Sequence, residues 1–220
     1  MYDHFTSNIN NKEIIMYQLY YSPNTCSLAT QVVLHELDHK VEIIDKRGVT
    51  NFSELSATGS VPALKDNGPI LLEGAAIMIY LLEKQTTPMF SSNPVKRTQA
   101  IEDIMFANAT MHPAYSKLYF ISSLNIDDTA KKIALNAIAD SINALWNIVE
   151  LRLQEQVFLG GDHYSAADIM LTVYSRWNQF HSVGIVLGER TQELIEHIFN
   201  LESFQRAIAN ETKQSAIFED

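Results

Sequence analysis

Cys26 is the only cysteine in this 220-residue chain, and it stands where a thiol can do chemistry. Residues 17–21 form an apolar and aromatic run suited to a short strand. Ser22-Pro23-Asn24-Thr25 then breaks regular structure, and Leu28, Val32, Val33 and Leu37 follow on roughly one side of a helical pattern. The spacing predicts strand, tight turn and helix, with Cys26 in the helix's first turn. Unpaired N–H groups and the positive end of the helix dipole favour an anion at that spot. They can hold a thiolate and draw the thiol pKa well below its free value of about 8.5, or hold the thiolate of a bound ligand. The same residues also suit a plainer arrangement, in which Cys26 is a small packing residue and Ser27 a cap.

The surrounding elements set the context for that thiol. KVEIID (40–45) reads as a second strand, and the polar stretch 46–60 as a loop around a short irregular helix. Val61-Pro62-Ala63-Leu64 and Ile70-Leu71-Leu72 flank Asp66-Asn67-Gly68, a hairpin signal. Glu73-Gly74 then opens an apolar helix over 75–83. A proline at the mouth of a strand cannot donate to the ladder. Either Pro62 lies on an edge, or Val61–Pro62 is a cis bond that turns the Val61 backbone toward a ligand.

Beyond the polar, proline-containing stretch 85–94 there is no strand pattern. A long helix or helix pair is expected over 95–124, kinked at Pro113, and another begins at Asp127-Asp128-Thr129. Ser165 and Asp168 form a capping-box-like start to a nearly all-apolar helix, so both are assigned to folding rather than catalysis. Two more helices are expected near 192–199 and 201–209.

YYSPNTCSLATQVVLHEL, GSVPAL, DNG and LLEGAAIMIYL occur in the order and spacing of the glutathione transferases. The chain resembles that family over about residues 16–210, and its Cys-Ser pair is most similar to the bacterial beta class. The resemblance implies an α/β thioredoxin-like N-terminal domain, βαβαββα, over 16–84. A linker (85–94) and an all-α domain (95–220) would follow, with 1–15 a flexible extension. It implies a catalytic set of Cys26, Tyr21, Ser27 and His112. Glutathione would be the co-substrate, with the Val61 backbone beside Pro62 meeting its cysteinyl unit, and Glu73 and Gly74 its γ-glutamyl end. Tyr20, one residue before Tyr21, should point to the opposite face and pack.

The implied activity is conjugation of glutathione to small hydrophobic electrophiles, or mixed-disulfide chemistry at Cys26, in a cytoplasmic homodimer. Glutathione-dependent dehalogenation or ether cleavage is a narrower version. The alternative is a non-catalytic binding or regulatory protein on the same fold. Phe106, Met111, Tyr115 and Tyr119 are offered to the hydrophobic substrate, with core packing their default. SATGSVPAL lacks the lysine that the beta class carries before this proline. Met105, Thr110 and Pro113 replace polar residues that in the class reach glutathione in the neighbouring subunit, with Asn108, one turn away, as the substitute.

Composition narrows the partners. A net charge of −10 without a basic run argues against nucleic acid or an anionic membrane. One cysteine excludes an internal disulfide and suits a reducing compartment. No apolar run is long enough to span a bilayer, and residues 1–15 lack the pattern of a signal peptide. The histidines other than His112 show no ligand spacing, so no metal is expected.

Overall fold

The computed structural model describes residues 16–218, so the expected 1–15 extension lies outside the described residues. Strand β1 (Met16–Tyr21) is central. It pairs in parallel with β2 (Lys40–Asp45) and antiparallel with β3 (Ala63–Lys65), giving the order β2-β1-β3. A parallel pair needs a crossover, which α1 (Ser27–Glu36) supplies. Alternation along β1 sends Tyr17, Leu19 and Tyr21 to one face and Gln18 and Tyr20 to the other. Tyr20 packs there as expected, its ring 5.8 Å from that of Phe52 in the short helix α2 (Phe52–Leu55).

The hairpin after β3 is shorter than a two-strand pair. Leu64 and Leu71 exchange backbone hydrogen bonds of 2.9 and 2.8 Å as a single bridge, and Pro69 in the returning arm has no N–H to extend the ladder. Helix α3 (Gly74–Glu83) follows and packs against α1.

From residue 94 the described chain is helical. Asn93 caps α4 (Pro94–Met105) by accepting from the N–H groups of Val95 and Lys96. Ahead of Pro113, where the sequence predicts a kink, the helix changes type. A π-helical turn over Phe106–Met111 separates α4 from α5 (His112–Ser123), and the His112 N–H reaches back to the Ala107 carbonyl. The widened turn precedes the residue that has no N–H and would crowd an α-helical carbonyl. Then come α6 (Asp128–Leu153), α7 (Ala166–Ser175), α8 (Glu189–Phe199) and α9 (Glu202–Ser215). The fold is a thioredoxin-like α/β unit followed by an all-helical one.

Helix α1 is buried from Ser27 through Leu34, lying between the sheet and helices α7 and α9. Helix α7 is buried along its full length. Its start is a complete capping box: Asp168 Oδ2 accepts from the Ser165 N–H at 2.7 Å and its Oγ–H at 2.8 Å. Asp168 Oδ1 accepts the Leu159 N–H at 3.0 Å. Burial pushes this carboxyl up to about 6 against those hydrogen bonds. Nearby, Arg152 holds Asp103 in two hydrogen bonds of 2.7 and 3.0 Å. The Asp103 side chain is 1% exposed and that of Arg152 30%.

That asymmetry gives a stability prediction. Arg152→Met strands a buried carboxylate and should cost about 3 kcal/mol or more, whereas Asp103→Asn leaves a cation that can reach water and should cost less. Asp168→Ala, which orphans two buried N–H groups and removes a cap, should cost about 2–4 kcal/mol. Urea unfolding of the three variants measures the order.

Candidate active site

The turn before α1 is closed by its own side chains. The Thr25 hydroxyl donates to the Ser22 carbonyl at 2.8 Å and shares a 2.7 Å hydrogen bond with the Ser27 hydroxyl. Asn24 takes a left-handed φ of 59°, which asparagine tolerates better than most residues. Cys26 is the residue immediately before α1 and is half-buried. Its thiol donates to the Val61 carbonyl at 3.6 Å, and Val61–Pro62 is a cis peptide.

Cys26 and Val61 form one wall of a cleft of about 620 Å³. His112, Ser116 and Tyr119 from α5, with Trp177 and Phe180 from the turn after α7, form the other. The lining is mostly apolar, as a site for a hydrophobic ligand requires. A hollow of about 440 Å³ between the end of α6 and α8 contains none of these residues.

The electrostatics of Cys26 differ from the sequence expectation. Burial pushes its thiol up to about 11, outweighing the backbone N–H groups of Cys26 and Ser27 that favour the thiolate. At neutral pH Cys26 is therefore a thiol that donates a hydrogen bond, not a thiolate. His112 is held between the rings of Tyr174 and Trp177, each 5.4 Å away. Burial lowers its pKa, so the imidazole is neutral at pH 7.

Two expected catalytic residues are not in the cleft. Tyr21 is fully buried, and the groups that influence its hydroxyl are Asp45, Ser215, Glu211 and Arg47, on the side of α9. Strand alternation places it with Tyr17 and Leu19 rather than at the cleft. Ser27 is also fully buried. Its hydroxyl is used within the turn, sharing the 2.7 Å hydrogen bond with Thr25 and accepting the Ser22 N–H at 3.4 Å. Ser27 thus shapes the turn instead of facing a ligand.

The expected glutathione-binding residues gather at the start of α3. Glu73 is exposed at a left-handed φ of 69°. A Cβ on Gly74 would stand 3.1 Å from Asn108 Oδ1 and 3.8 Å from Pro62 Cγ. Asn108, from the π-helical turn, therefore stands beside Gly74 of its own chain. Met105 is 43% exposed.

Of the four side chains offered to a hydrophobic substrate, only Tyr119 lines the cleft. Met111 and Tyr115 are buried, and the Tyr115 hydroxyl links Trp146 to Asn178. Phe106 packs against the core. Sequence reasoning missed Trp177 and Phe180, whose 3-10 turn after a buried helix has no periodic signal. It also missed Lys46, whose ammonium donates to the Gly59 carbonyl at 3.1 Å. A cation in the loop facing the lysine-less SATGSVP segment was the available clue. Among the described residues, no three His, Cys, Asp or Glu side chains come together as a metal site, and no helix is long and apolar enough to cross a membrane.

No protein-family model matches the chain, but individual proteins do. Glutathione S-transferase GST-4.5 of Xanthomonas campestris is 27% identical over 177 residues, covering 78% of this chain and 86% of that protein. Glutathione S-transferase GstA of Escherichia coli O157:H7 is 26% identical over 170 residues, covering 73% and 81%. Among solved structures, a bacterial beta class glutathione S-transferase of Sphingomonas chungbukensis superposes with a TM-score of 0.76 at 22% identity, covering 88% and 98%. A sphingomonad glutathione S-transferase complexed with glutathione also gives 0.76 at 22%, covering 89% and 98%. Proteins named glutathione S-transferase are thus similar to this chain over most of its length, and its two-part architecture around the Cys26–Val61 cleft is the glutathione S-transferase fold.

Proposed function

We propose that the protein is a glutathione transferase of beta-like type that joins reduced glutathione to small hydrophobic electrophiles. The observation that carries this reading is the Cys26 thiol held at the Val61 carbonyl, on the rim of an aromatic-walled cleft. The tripeptide would lie along the segment from Val61 to Gly74. Its cysteinyl backbone would pair with Val61 as an added strand. Glu73 would accept from the γ-glutamyl ammonium, and the N-terminus of α3 with Asn108 would donate to its carboxylate. Backbone strain at an exposed Glu73 is of the kind that often marks ligand sites. Lys46, which donates to the Gly59 carbonyl, would be the cation offered to the tripeptide's glycine end.

The chemistry follows from the two protonation states. The neutral His112 takes the proton from the glutathione thiol. The Cys26 S–H then turns from the Val61 carbonyl to the glutathione sulfur and donates to the thiolate, together with the N-terminus of α1. The thiolate attacks the electrophile's carbon, a C–S bond forms, and the leaving group departs with its electron pair or an activated double bond accepts the pair. The electrophile would rest on Tyr119, Trp177 and Phe180. A thiol as weakly acidic as Cys26 is a poor thiolate source, which favours hydrogen bonding over a mixed disulfide. Family precedent also supports a cytoplasmic homodimer. The second reading, a non-catalytic binding protein, draws on the displacement of Tyr21 and Ser27 from the cleft.

Calorimetric titration with reduced glutathione at pH 7.5 is the primary test. Binding of micromolar to low-millimolar strength is expected; no heat and no thermal stabilisation in millimolar glutathione would overturn the proposal. With a model aryl halide, Cys26→Ala should lower kcat about ten- to hundredfold, the size of one hydrogen bond to a charged group. His112→Gln should lower it by about a hundredfold. Tyr21→Phe should leave turnover unchanged. Glutathione binding with no turnover on a panel of aryl halides, epoxides and enones would favour the binding protein. Wild-type kcat should fall as pH drops below the lowered His112 pKa, because the protonated imidazole no longer accepts.

A further inference from the structure

The turn that carries Cys26 is held from outside its own domain. The Asn24 N–H donates to Glu211 Oε2 at 3.3 Å, and the Asn24 carbonyl accepts the Trp177 indole N–H at 2.9 Å. Glu211 lies on α9 and is 7% exposed. Its other oxygen accepts from the side-chain amide of Gln31, at 3.1 Å, on the fully buried face of α1. One carboxylate therefore spans the turn before Cys26 and the helix after it. Two neutral donors are modest support for a buried negative charge.

The surrounding charges do not remove that burden. Arg176, from the turn after α7, is the cation facing Glu211, and Asp45 at the end of β2 is the opposing anion. Asp45 is already paired with Arg47. Tyr21 of β1 also faces this carboxyl, and Asn210 beside it on α9 meets His35 of α1. Burial pushes Glu211 up to about 7, with the Asn24 N–H and Arg176 pulling the other way.

We propose that Glu211 is a positioning residue for Cys26, whose hydrogen bonds to Asn24 and Gln31 set how firmly the thiol is held against Val61. This rests on the reading of Cys26 as the reactive centre. Both donors bind a carboxylate more strongly than a carboxylic acid. Ionised Glu211 tightens the turn, and protonated Glu211 releases it. The linkage has the opposite sign for stability. A folded pKa near 7, above an unfolded value of about 4.3, gives stability that is full below that unfolded value and declines as pH rises to about 7.

The test is the pH profile of Cys26 alkylation by iodoacetamide in the full chain, which has a single thiol. A thiol titrating near 11 gives a log rate that climbs with unit slope from pH 5.5 to 9. In the wild type the line should flatten across pH 7 and resume unit slope about fivefold lower, the difference between a charged and a neutral hydrogen bond. Glu211→Gln, close to isosteric, should give an unbroken line and lessen the fall in melting temperature between about pH 4.3 and 7, leaving the part due to Asp168. Superimposable alkylation profiles for the two proteins would overturn the proposal. Should Glu211→Gln not fold, Gln31→Leu supplies the answer. Removing one donor must move the step to higher pH, and a step that stays in place overturns the assignment. Iodoacetamide reads the thiol directly. A protein that binds no glutathione therefore refutes the transferase reading without deciding this one.

Discussion

The burial of α1 on every side is the constraint on which the rest of the molecule depends. A helix enclosed all round must be met by apolar or hydrogen-bonded partners on each face. The sheet supplies one face, α3 another, and α7 and α9 of the helical unit the rest. The two units therefore share a wall instead of touching at a rim. Because that wall begins at Cys26, the helical unit sets the environment of the thiol as much as the thioredoxin-like unit does. The raised pKa of Cys26 is a direct result, since enclosure that stabilises packing removes the water a thiolate would need.

The helix N-terminus therefore acts here in a way that a motif reading does not suggest. Backbone N–H groups at the start of α1 favour an anion, but the half-buried cysteine does not become that anion in the free protein. A donor thiol beside a helix N-terminus suits an anion that arrives with a ligand. Burial and dipole thus oppose each other at Cys26: burial keeps the proton on the thiol, and the backbone N–H groups favour an anion.

Much of this was legible in the residues, and the gaps have physical causes. The strand-turn-helix around Cys26, the VPAL segment and the Ser165–Asp168 cap are local patterns, and local hydrogen bonding builds them. Tyr21 and Ser27 were misplaced for the same reason as each other. Adjacency to Cys26 in sequence says nothing about which way a strand or a first helical turn points its side chains. Strand parity, counted from the apolar pair Tyr17 and Leu19, would have put Tyr21 inside. Trp177, Phe180 and Glu211 come from distant elements without motifs, so only the packing of α7 and α9 against α1 brings them to the turn.

The π-helical turn over Phe106–Met111 can be viewed as a phase shift. Each residue added to an α-helix rotates the downstream side chains by about 100°, so one extra residue in a turn re-aims all of them while the axis continues. Upstream of it, Ile104 and Asp103 face the core; downstream, His112, Ser116 and Tyr119 face the cleft. Loss of one residue here would turn α5 as a whole, moving Tyr115 and Leu118 out of the core as it moved Tyr119 away from the cleft. The lining of the cleft and the packing of α5 against the core are therefore set together by the length of one turn.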